Sequence, residues 1–330
     1  MRAPEFWYAK RPRLLGSLAS AALSPLGALY DFVGAIKERL SDPFDCGVPI
    51  ICIGNLTVGG TGKTPLAMAL ACALKAWRPA FLTRGYGGRL AGPVRVDPGM
   101  HTASDVGDEP LLLAGIVPTF VARQRIDGAH AAREAGAGLI LMDDGFQNFA
   151  LKKNIALAVI DGQVGFGNGR VVPAGPLREK PSRGLARADA VVLMGPTDKH
   201  PAYLHGFERP IFHAVLEADP NALPSRPLIA FAGIGRPEKF FASLSAVGRA
   251  PAETHAFADH HTYTSGEIET LLQRARTAGA QLVTTQKDHV RLPPALAAQI
   301  AWLSVHAKLA EEAEFLDFLK ARLPAPPRTD

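Results

Sequence analysis

A glycine-rich segment, residues 54–65, carries the clearest chemical signature in the chain: Gly-Asn-Leu-Thr-Val-Gly-Gly-Thr-Gly-Lys-Thr-Pro. The apolar run over residues 48–54 is typical of a buried parallel strand, and residues 66–74 favour a helix. In that order, inward-turned backbone N–H groups and the helix N-terminus hold phosphate oxygens. The segment predicts a nucleotide phosphate loop made of Thr57, Val58, Gly59, Gly60, Thr61, Gly62, Lys63 and Thr64.

Two residues of this phosphate loop have distinct expected roles. Lys63 is expected to reach the β- and γ-phosphates, and the Thr64 hydroxyl is expected to meet Mg²⁺. One position departs from the usual pattern G-x-x-x-x-G-K-[ST], because Thr57 stands where glycine is expected. Gly59 and Gly60 supply backbone freedom elsewhere in the loop, so the phosphate site is still expected. The competing interpretation is a chance glycine turn.

An acidic pair offers a second place for the metal. Residues 139–142 are apolar and run directly into Asp143 and Asp144. A strand of this type presents its last side chains at the carboxyl edge of an open sheet, where ligands bind. Asp143 is therefore expected to hold Mg²⁺ directly or through water, with Asp144 as a second ligand or as an orienting group. The alternative is a solvated Asp-Asp-Gly turn.

A parallel sheet must bring these groups together, and the sequence alternates accordingly. Three more apolar runs, at residues 80–83, 155–160 and 190–194, end in loops with Gly, Pro or a charged residue. Residues 127–137 favour a helix between two of the strands. Alternating strands and helices predict an α/β protein with a parallel sheet covered on both faces, a P-loop NTPase-like domain of α/β/α type.

Near residue 210 the alternation restarts. Residues 210–216 favour a linker strand, whereas residues 227–235 and 280–285 favour strands of a second sheet. Residues 237–246 and 310–323 favour helices. The second half therefore predicts a smaller C-terminal α/β/α domain, in agreement with a length of 330 residues at roughly 100–200 residues per domain.

The first forty residues have an unusual composition. Four basic residues, Arg2, Lys10, Arg11 and Arg13, precede an uncharged stretch over residues 14–30. An interfacial, membrane-associated helix with an aromatic and basic start fits this order. An ordinary buried helix is the equal alternative, and a signal peptide is a third. A membrane-spanning helix is less consistent, since the run is rich in Ala, Gly and Ser and contains Pro25.

The composition narrows the classes of protein. A formal net charge of +5 is too small to indicate nucleic-acid binding. The three cysteines, Cys46, Cys52 and Cys72, cannot form a disulfide framework and lack metal-ligand spacing, which indicates a reducing compartment.

Short motifs in order from about residue 49 to residue 290 resemble the tetraacyldisaccharide 4′-kinase family. Besides the phosphate loop, the motifs are Arg84-Gly85-Tyr86, Gly107-Asp108-Glu109-Pro110, Asp143-Asp144-Gly145-Phe146-Gln147, Gly175-Pro176-Leu177-Arg178-Glu179, Phe257-Ala258-Asp259-His260-His261 and Thr284-Thr285-Gln286-Lys287-Asp288. The resemblance implies a kinase that uses ATP and Mg²⁺ and phosphorylates tetraacyldisaccharide 1-phosphate to lipid IVA. It implies a peripheral or monotopic location at the cytoplasmic face of the bacterial inner membrane, with no obligate protein partner.

The resemblance also implies a fold and a catalytic pair. A P-loop domain is joined to the smaller domain by a short two-stranded linker, and an Asp–His pair maps onto Asp108 and His260. A sugar hydroxyl needs a base to accept its proton as it attacks. Either His260 is that base with Asp108 fixing its tautomer, or Asp108 is the base and His260 orients it. Because the pair is split between domains, we expect a hinge that closes over the substrates.

Other matching positions are candidate contacts to substrate or phosphate: Arg84, Gln147, Arg178 and Glu179. Arginine forks suit phosphate, and Glu179 is a candidate helper for the metal. The sequence departs from the family at Asn148, Lys180 and Gln286, where His, Pro and Glu are usual. The contact that the usual histidine would make at Asn148 is therefore in doubt.

The sequence as a whole predicts an interfacial helical segment at residues 1–40, a P-loop kinase domain at 41–209 and the smaller domain at 210–330. Competing functions are another P-loop small-molecule kinase, a nucleotide-driven ligase and a GTPase switch. The GTPase is disfavoured because the sequence has no Asn-Lys-x-Asp base-reading motif.

Overall fold

In the computed structural model, which describes residues 4–8, 14–198, 200–219, 221 and 223–327, twelve strands form one continuous sheet. The strands are β1 Ile50–Gly54, β2 Pro79–Thr83, β3 Val94–Arg95, β4 Thr119–Val121, β5 Leu139–Asp143, β6 Ile155–Asp161, β7 Ala190–Met194, β8 Ile211–Asp219, β9 Leu228–Ala232, β10 Glu253–Ala256, β11 Gln281–Thr285 and β12 Ala301–Leu309.

Helices connect most of these strands. They are α1 Leu14–Arg39, α2 Lys63–Ala73, α3 Ala103–Val106, α4 Asp108–Ala114, α5 Arg125–Glu134, α6 Pro181–Arg187, α7 Pro237–Ala246, α8 Ser265–Thr277, α9 Gln286–His289, α10 Pro294–Ala297 and α11 Glu312–Lys320. Short 3₁₀ turns lie at Glu5–Trp7, Lys75–Trp77 and Ala202–Leu204.

The order of the strands is β10-β9-β11-β12-β8-β7-β6-β1-β5-β2-β4-β3. Neighbours are parallel except β3 with β4 and β8 with β12. The strands β1, β2, β5, β6 and β7 therefore end at one edge, and strand direction reverses at the β8–β12 pair, where the chain enters its second half. The predicted α/β architecture with a mostly parallel sheet is confirmed.

Both halves bury the two faces of the sheet. Ile50 and Cys52 of β1 belong to one apolar cluster, and the alternate residues Ile51 and Ile53 belong to another. The second half repeats this arrangement, with Ile229 and Phe231 of β9 on one face and Ala230 on the other. The strands consequently have continuous apolar sequences, as expected for parallel strands that are covered on both sides.

Several elements differ from their predicted bounds. The helix after the phosphate loop begins at Lys63, three residues before the predicted start, because α2 includes the Gly-Lys-Thr motif itself. The strand β8 extends to Asp219, since its second part pairs with β12. The last helix, α11, covers residues 312–320 only, inside the predicted range.

The N-terminal helix α1 continues through Pro25 for 26 residues. Its docked face consists of small or polar residues: Ser20, Gly27 and Asp31 are buried, and a Cβ at Gly27 would lie 2.7 Å from the Val171 carbonyl oxygen. Its other face is exposed and apolar, with Leu14, Leu15, Leu18, Leu26, Leu29, Tyr30, Phe32, Val33 and Ile36.

By length and composition α1 could cross a membrane. Only 17% of its most apolar window is buried in the protein. A buried helix of an ordinary globular domain does not fit that exposure. The basic residues predicted to flank the helix, Arg2, Lys10, Arg11 and Arg13, lie outside the described residues.

Candidate active site

The phosphate loop connects β1 to α2 and takes its shape from two glycines and one bridge. Gly59 (φ 121°) and Gly62 (φ 84°) have positive φ, and a Cβ on Gly62 would lie 2.7 Å from Met194. Thr57 instead forms an antiparallel bridge with Leu177, an extended geometry that suits a β-branched residue. The departure from glycine at position 57 is therefore accommodated, because this position needs no left-handed backbone.

Neighbouring segments hold the loop from two sides. The Val58 N–H donates to the Pro176 carbonyl at 2.7 Å, and the Arg178 N–H donates to the Leu56 carbonyl at 2.7 Å. From the N-terminal turn, the Tyr8 hydroxyl donates to the Val58 carbonyl at 2.8 Å. The sequence indicated Tyr8 only as part of an interfacial aromatic cluster, and its contact with the loop had no signal in the pattern.

Lys63, Thr64 and the acidic pair meet at the carboxyl edge of the sheet. The Thr64 hydroxyl lies 3.5 Å from Asp143 Oδ2, and Lys63 Nζ lies 3.6 Å from Asp144 Oδ1. Arg178 Nη1 donates to both carboxylate oxygens of Asp144 at 3.0 Å. Asp144 has a left-handed backbone (φ 52°), a strained geometry of the kind that concentrates at functional sites.

Asp143 is the buried carboxylate of this pair. Burial raises its pKa, and the nearby negative charges of Glu109 and Asp144 raise it further. The positive charge of Lys63 lowers it only in part. Its Oδ1 atom is buried without a hydrogen-bond partner in the described part of the chain. A cation would relieve both conditions, so Asp143 and the Thr64 hydroxyl fit the oxygen ligands that Mg²⁺ prefers.

Gln147 and Glu179 support the loop from behind. Gln147 Nε2 donates to the Asn55 carbonyl at 3.0 Å and to Glu179 at 2.9 Å. Glu179 is buried, and its carboxylate pairs with Arg187 at 2.7 Å and Arg183 at 3.3 Å. Since both arginines neutralise Glu179, the structure gives it a place in an ion-pair network, and its expected part in assisting the metal stays a prediction.

The predicted pair, Asp108 and His260, is brought together across the two halves. Asp108 begins α4, His260 follows β10, and His260 Nδ1 lies 3.1 Å from Asp108 Oδ2. Asp108 is 5% exposed and His260 43% exposed, so the pair opens to solvent on the histidine side. His260 also has a left-handed backbone (φ 57°), and its N–H donates to the Gly233 carbonyl at 3.0 Å.

Cations surround Asp108. Burial tends to raise its pKa, but the hydrogen bond with His260 and the charges of Lys287 and Arg291 prevail and lower the pKa to about 2. Lys287 Nζ lies 3.9 Å from Asp108 and 3.1 Å from Glu109. Arg291 Nε donates to Asp108 Oδ2 at 3.0 Å. Asp108 is thus a fixed anion at neutral pH.

Glu109 connects the two clusters, because it pairs with Lys287 and its charge also acts on Asp143. The other sequence-predicted arginine, Arg84, lines a cavity of about 230 Å³ with Tyr86 and Arg123. The Tyr86 ring lies 6.3 Å from the His260 ring, so this cavity adjoins the pair. Arg291 was not among the residues that the sequence predicted for the site. The one pattern that could have indicated it is its position four residues, about one helical turn, after Lys287.

Comparison with known proteins is consistent with this geometry. The family described as Tetraacyldisaccharide-1-P 4'-kinase, LpxK, matches residues 19–324. Proteins named tetraacyldisaccharide 4'-kinase are 48% identical to the chain in Rhodospirillum centenum (over 98% of this chain and 97% of the relative) and in Parvibaculum lavamentivorans (92% and 90%). A crystal structure of LpxK from Aquifex aeolicus in complex with ATP is 27% identical, with a TM-score of 0.76 over 92% of this chain and 99% of that one.

Proposed function

The chain belongs to the tetraacyldisaccharide 4′-kinase family, and on that premise we propose that it transfers the γ-phosphoryl group of ATP to the 4′-hydroxyl of tetraacyldisaccharide 1-phosphate, which forms lipid IVA. The observation that carries the proposal is the 3.1 Å contact of His260 with the buried Asp108 carboxylate, next to Glu109, whose charge also acts on Asp143 at the end of β5. A proton acceptor beside a phosphate site is what phosphorylation of a sugar hydroxyl requires.

In the proposed step the 4′-oxygen forms a bond to the γ-phosphorus as the bond between that phosphorus and the β–γ bridging oxygen breaks. ADP leaves with the bridging oxygen, and the hydroxyl proton passes to the Asp108–His260 pair. Asp108 Oδ1 accepts the Glu109 N–H and Oδ2 accepts from Arg291, so the pair is held rigidly while it receives the proton. We assign the proton to the pair as a unit, as coupled groups require.

The residues of the phosphate loop have separable tasks. Backbone N–H groups and the start of α2 would hold the phosphates of ATP, and Lys63, the first residue of α2, would contact the β- and γ-phosphates. Thr64 and Asp143 would hold Mg²⁺, which when bound offsets negative charge on the transferring phosphates. Arg178 and Lys63 hold Asp144 in place, which leaves Asp143 as the carboxylate available to a cation.

We further propose that the exposed apolar face of α1 lies in the cytoplasmic leaflet of the inner membrane. The substrate carries four acyl chains, and an enzyme that reaches its sugar must work at the bilayer surface. The buried small-residue face of α1 is fixed to the kinase by Asp31, which accepts from the Lys180 N–H and pairs with Arg183 at 2.9 Å. The site is thereby attached firmly to a membrane-facing helix.

The experiment that tests the function uses the purified full chain with ATP, Mg²⁺ and tetraacyldisaccharide 1-phosphate in detergent micelles. We expect mass spectrometry to detect a product with one additional phosphate and a stoichiometric amount of ADP. The Lys63→Ala variant should produce neither, since the proposal assigns Lys63 the contact with the β- and γ-phosphates. A well-folded wild-type protein that binds ATP but leaves the lipid unchanged would contradict the proposal.

A further inference from the structure

Arg291 is a buried arginine outside the phosphate loop, and beyond its hydrogen bond to Asp108 it has further contacts that bear on the catalytic pair. It lies two residues beyond α9 with 6% of its side chain exposed. Its Nε donates to Asp108 Oδ2 at 3.0 Å, and its Nη1 donates to the Gly233 carbonyl at 3.0 Å. One guanidinium thus joins a carboxylate of the first half to a backbone carbonyl of the second half.

That carbonyl also holds His260. The Gly233 oxygen accepts the His260 N–H at 3.0 Å, and His260 has the left-handed φ of 57°. A residue in this region has a strained backbone that surrounding contacts must stabilise. The Arg291 fork and the His260 backbone therefore share one acceptor, and a shift of the guanidinium would displace the loop that carries the imidazole.

Arg291 is itself fixed by a third contact. Its Nη1 lies 3.2 Å from Asp288 Oδ1, an atom that also accepts from the Tyr263 hydroxyl at 2.8 Å and from the Gly233 N–H at 3.0 Å. Asp288 is fully buried. A buried carboxylate with three donors cannot move freely, so it gives the guanidinium a single orientation.

We propose that Arg291 is a positioning residue of the kinase reaction, which fixes the Asp108 carboxylate against the His260 ring across the two halves. The inference rests on the proposed function, because it assigns Arg291 a role in the reaction of that pair. The planar guanidinium of arginine can donate to Asp108 and to the Gly233 carbonyl at the same time. A lysine ammonium is a point charge without this fixed pair of donors.

The other charged groups near Asp108 cannot replace this fork. His260 contacts Asp108 through one ring nitrogen, and Lys287 lies 3.9 Å away and is bonded to Glu109. Glu109 of α4 is negatively charged and cannot neutralise Asp108. The carboxylate of Asp288, in α9, pairs with Arg291. Burial alone would raise the pKa of Asp108, so loss of Arg291 should shift that pKa upward even with Lys287 in place.

The test measures kcat, KM for ATP, the pH profile and Tm for R291Q, R291K and a control, R274Q, in the micelle assay. R291Q should lower kcat about 10- to 100-fold, the cost of an ångström-scale misplacement, with KM for ATP changed less than about threefold. The acid limb of the pH profile of kcat, measured down to the lowest pH at which the protein stays folded, should lie at higher pH in R291Q than in the wild type, because the Asp108 pKa rises. R291K should restore the pH profile, which depends on charge, but only part of kcat.

The control removes an arginine that pairs with Glu253 on an exposed surface of the same half, and it should leave kcat and the pH profile unchanged. Adding R291Q to H260Q should lower kcat by less than about threefold relative to H260Q alone, because the effects of residues that act as a unit are not additive. A full additional loss in that background, or wild-type kcat and pH profile with only a lower Tm, would overturn the inference. If R291Q does not fold, R291K alone and in the H260Q background serves for the same comparison. An inactive wild-type protein would instead contradict the proposed function, before any variant is compared.

Discussion

At the scale of single residues, the Asp108–His260 contact makes the sharpest prediction. We expect D108N and H260Q each to lower kcat by about 10²- to 10⁴-fold, the usual contribution of general-base catalysis. KM for ATP should stay near its wild-type value, because neither side chain belongs to the phosphate loop. Steady-state kinetics with saturating lipid in micelles provides the measurement.

The adjacent histidine supplies a matched control for this prediction. His261 pairs with Glu267 at 3.1 Å and makes no contact with Asp108 in the described residues, so H261Q should retain kcat within a few-fold. Equal losses in H260Q and H261Q would indicate that the loop as a whole, rather than His260, is needed. The size of the D108N loss relative to that of H260Q would then show which member of the pair contributes more to proton acceptance.

Thr57 gives a second residue-scale prediction, in which stability and activity separate. Thr57 is 5% exposed and bridges Leu177, so T57G restores the usual motif but adds flexibility to an extended segment. We expect the free energy of unfolding to fall by about 0.5–1 kcal/mol, with KM for ATP unchanged. Urea denaturation and kinetics check the two parts. A tighter KM for ATP in T57G would mean that threonine distorts the phosphate loop.

The residues of the site differ in how far the sequence could predict them. Lys63, Thr64 and Asp143 belong to local patterns, in which a strand end and a helix start fix the geometry over a few residues. Arg291 and Tyr8 belong to no such pattern, because their partners lie 183 and 50 residues away in the chain. Contacts of that separation depend on how two units pack, which hydrophobic periodicity does not encode.

At the scale of secondary-structure elements, apolar alternation predicted most strands and helices, and tertiary pairing set their ends. β8 reads as a short linker strand over residues 210–216, yet it continues to Asp219 because β12 offers an antiparallel partner. β3 is two residues long and lies at the sheet edge. A strand that short has too few residues to show a hydrophobic period, so no pattern in the sequence could predict it.

The helix α1 makes the prediction that belongs to this scale. Replacing Leu29 and Phe32 with Glu should weaken binding to anionic phospholipid vesicles at least about tenfold, because each exposed apolar side chain contributes roughly 1.5–3 kcal/mol when buried. Activity on micellar substrate should remain, since neither residue contacts the site. Vesicle co-sedimentation provides the measurement.

The control for α1 adds the same two charges to another exposed helix face, at Thr270 and Gln273 of α8. This variant should bind vesicles as the wild type does. Equal weakening in both variants would attribute vesicle binding to net charge rather than to the apolar face. Unchanged binding of the Leu29 and Phe32 variant would contradict a membrane role for that face.

At the scale of the whole molecule, the two halves meet through charged contacts as well as through the β8–β12 pair. Asp108 contacts His260 and Arg291, and Asp161 at the end of β6 lies 3.5 Å from Arg236 and 3.8 Å from Lys239. Such contacts are polar and can break without exposing a large apolar surface. Two units joined by a strand pair and ion pairs are suited to the hinge that the split of Asp108 and His260 predicts.

This hinge can be tested by the distance between two spin labels. Cys72 is exposed while Cys46 and Cys52 are buried, so a label on Cys72 of α2 and one on a Thr270→Cys substitution in α8 would report on the two halves. We expect a broad distance distribution without nucleotide and a narrower one with ATP, because phosphate binding favours the arrangement in which His260 meets Asp108. D161N, which removes the ionic contacts of Asp161 with Arg236 and Lys239 between the halves, should broaden the nucleotide-free distribution further. A single narrow distance that neither ATP nor D161N changes would contradict the hinge and would mean that the catalytic pair is permanently assembled.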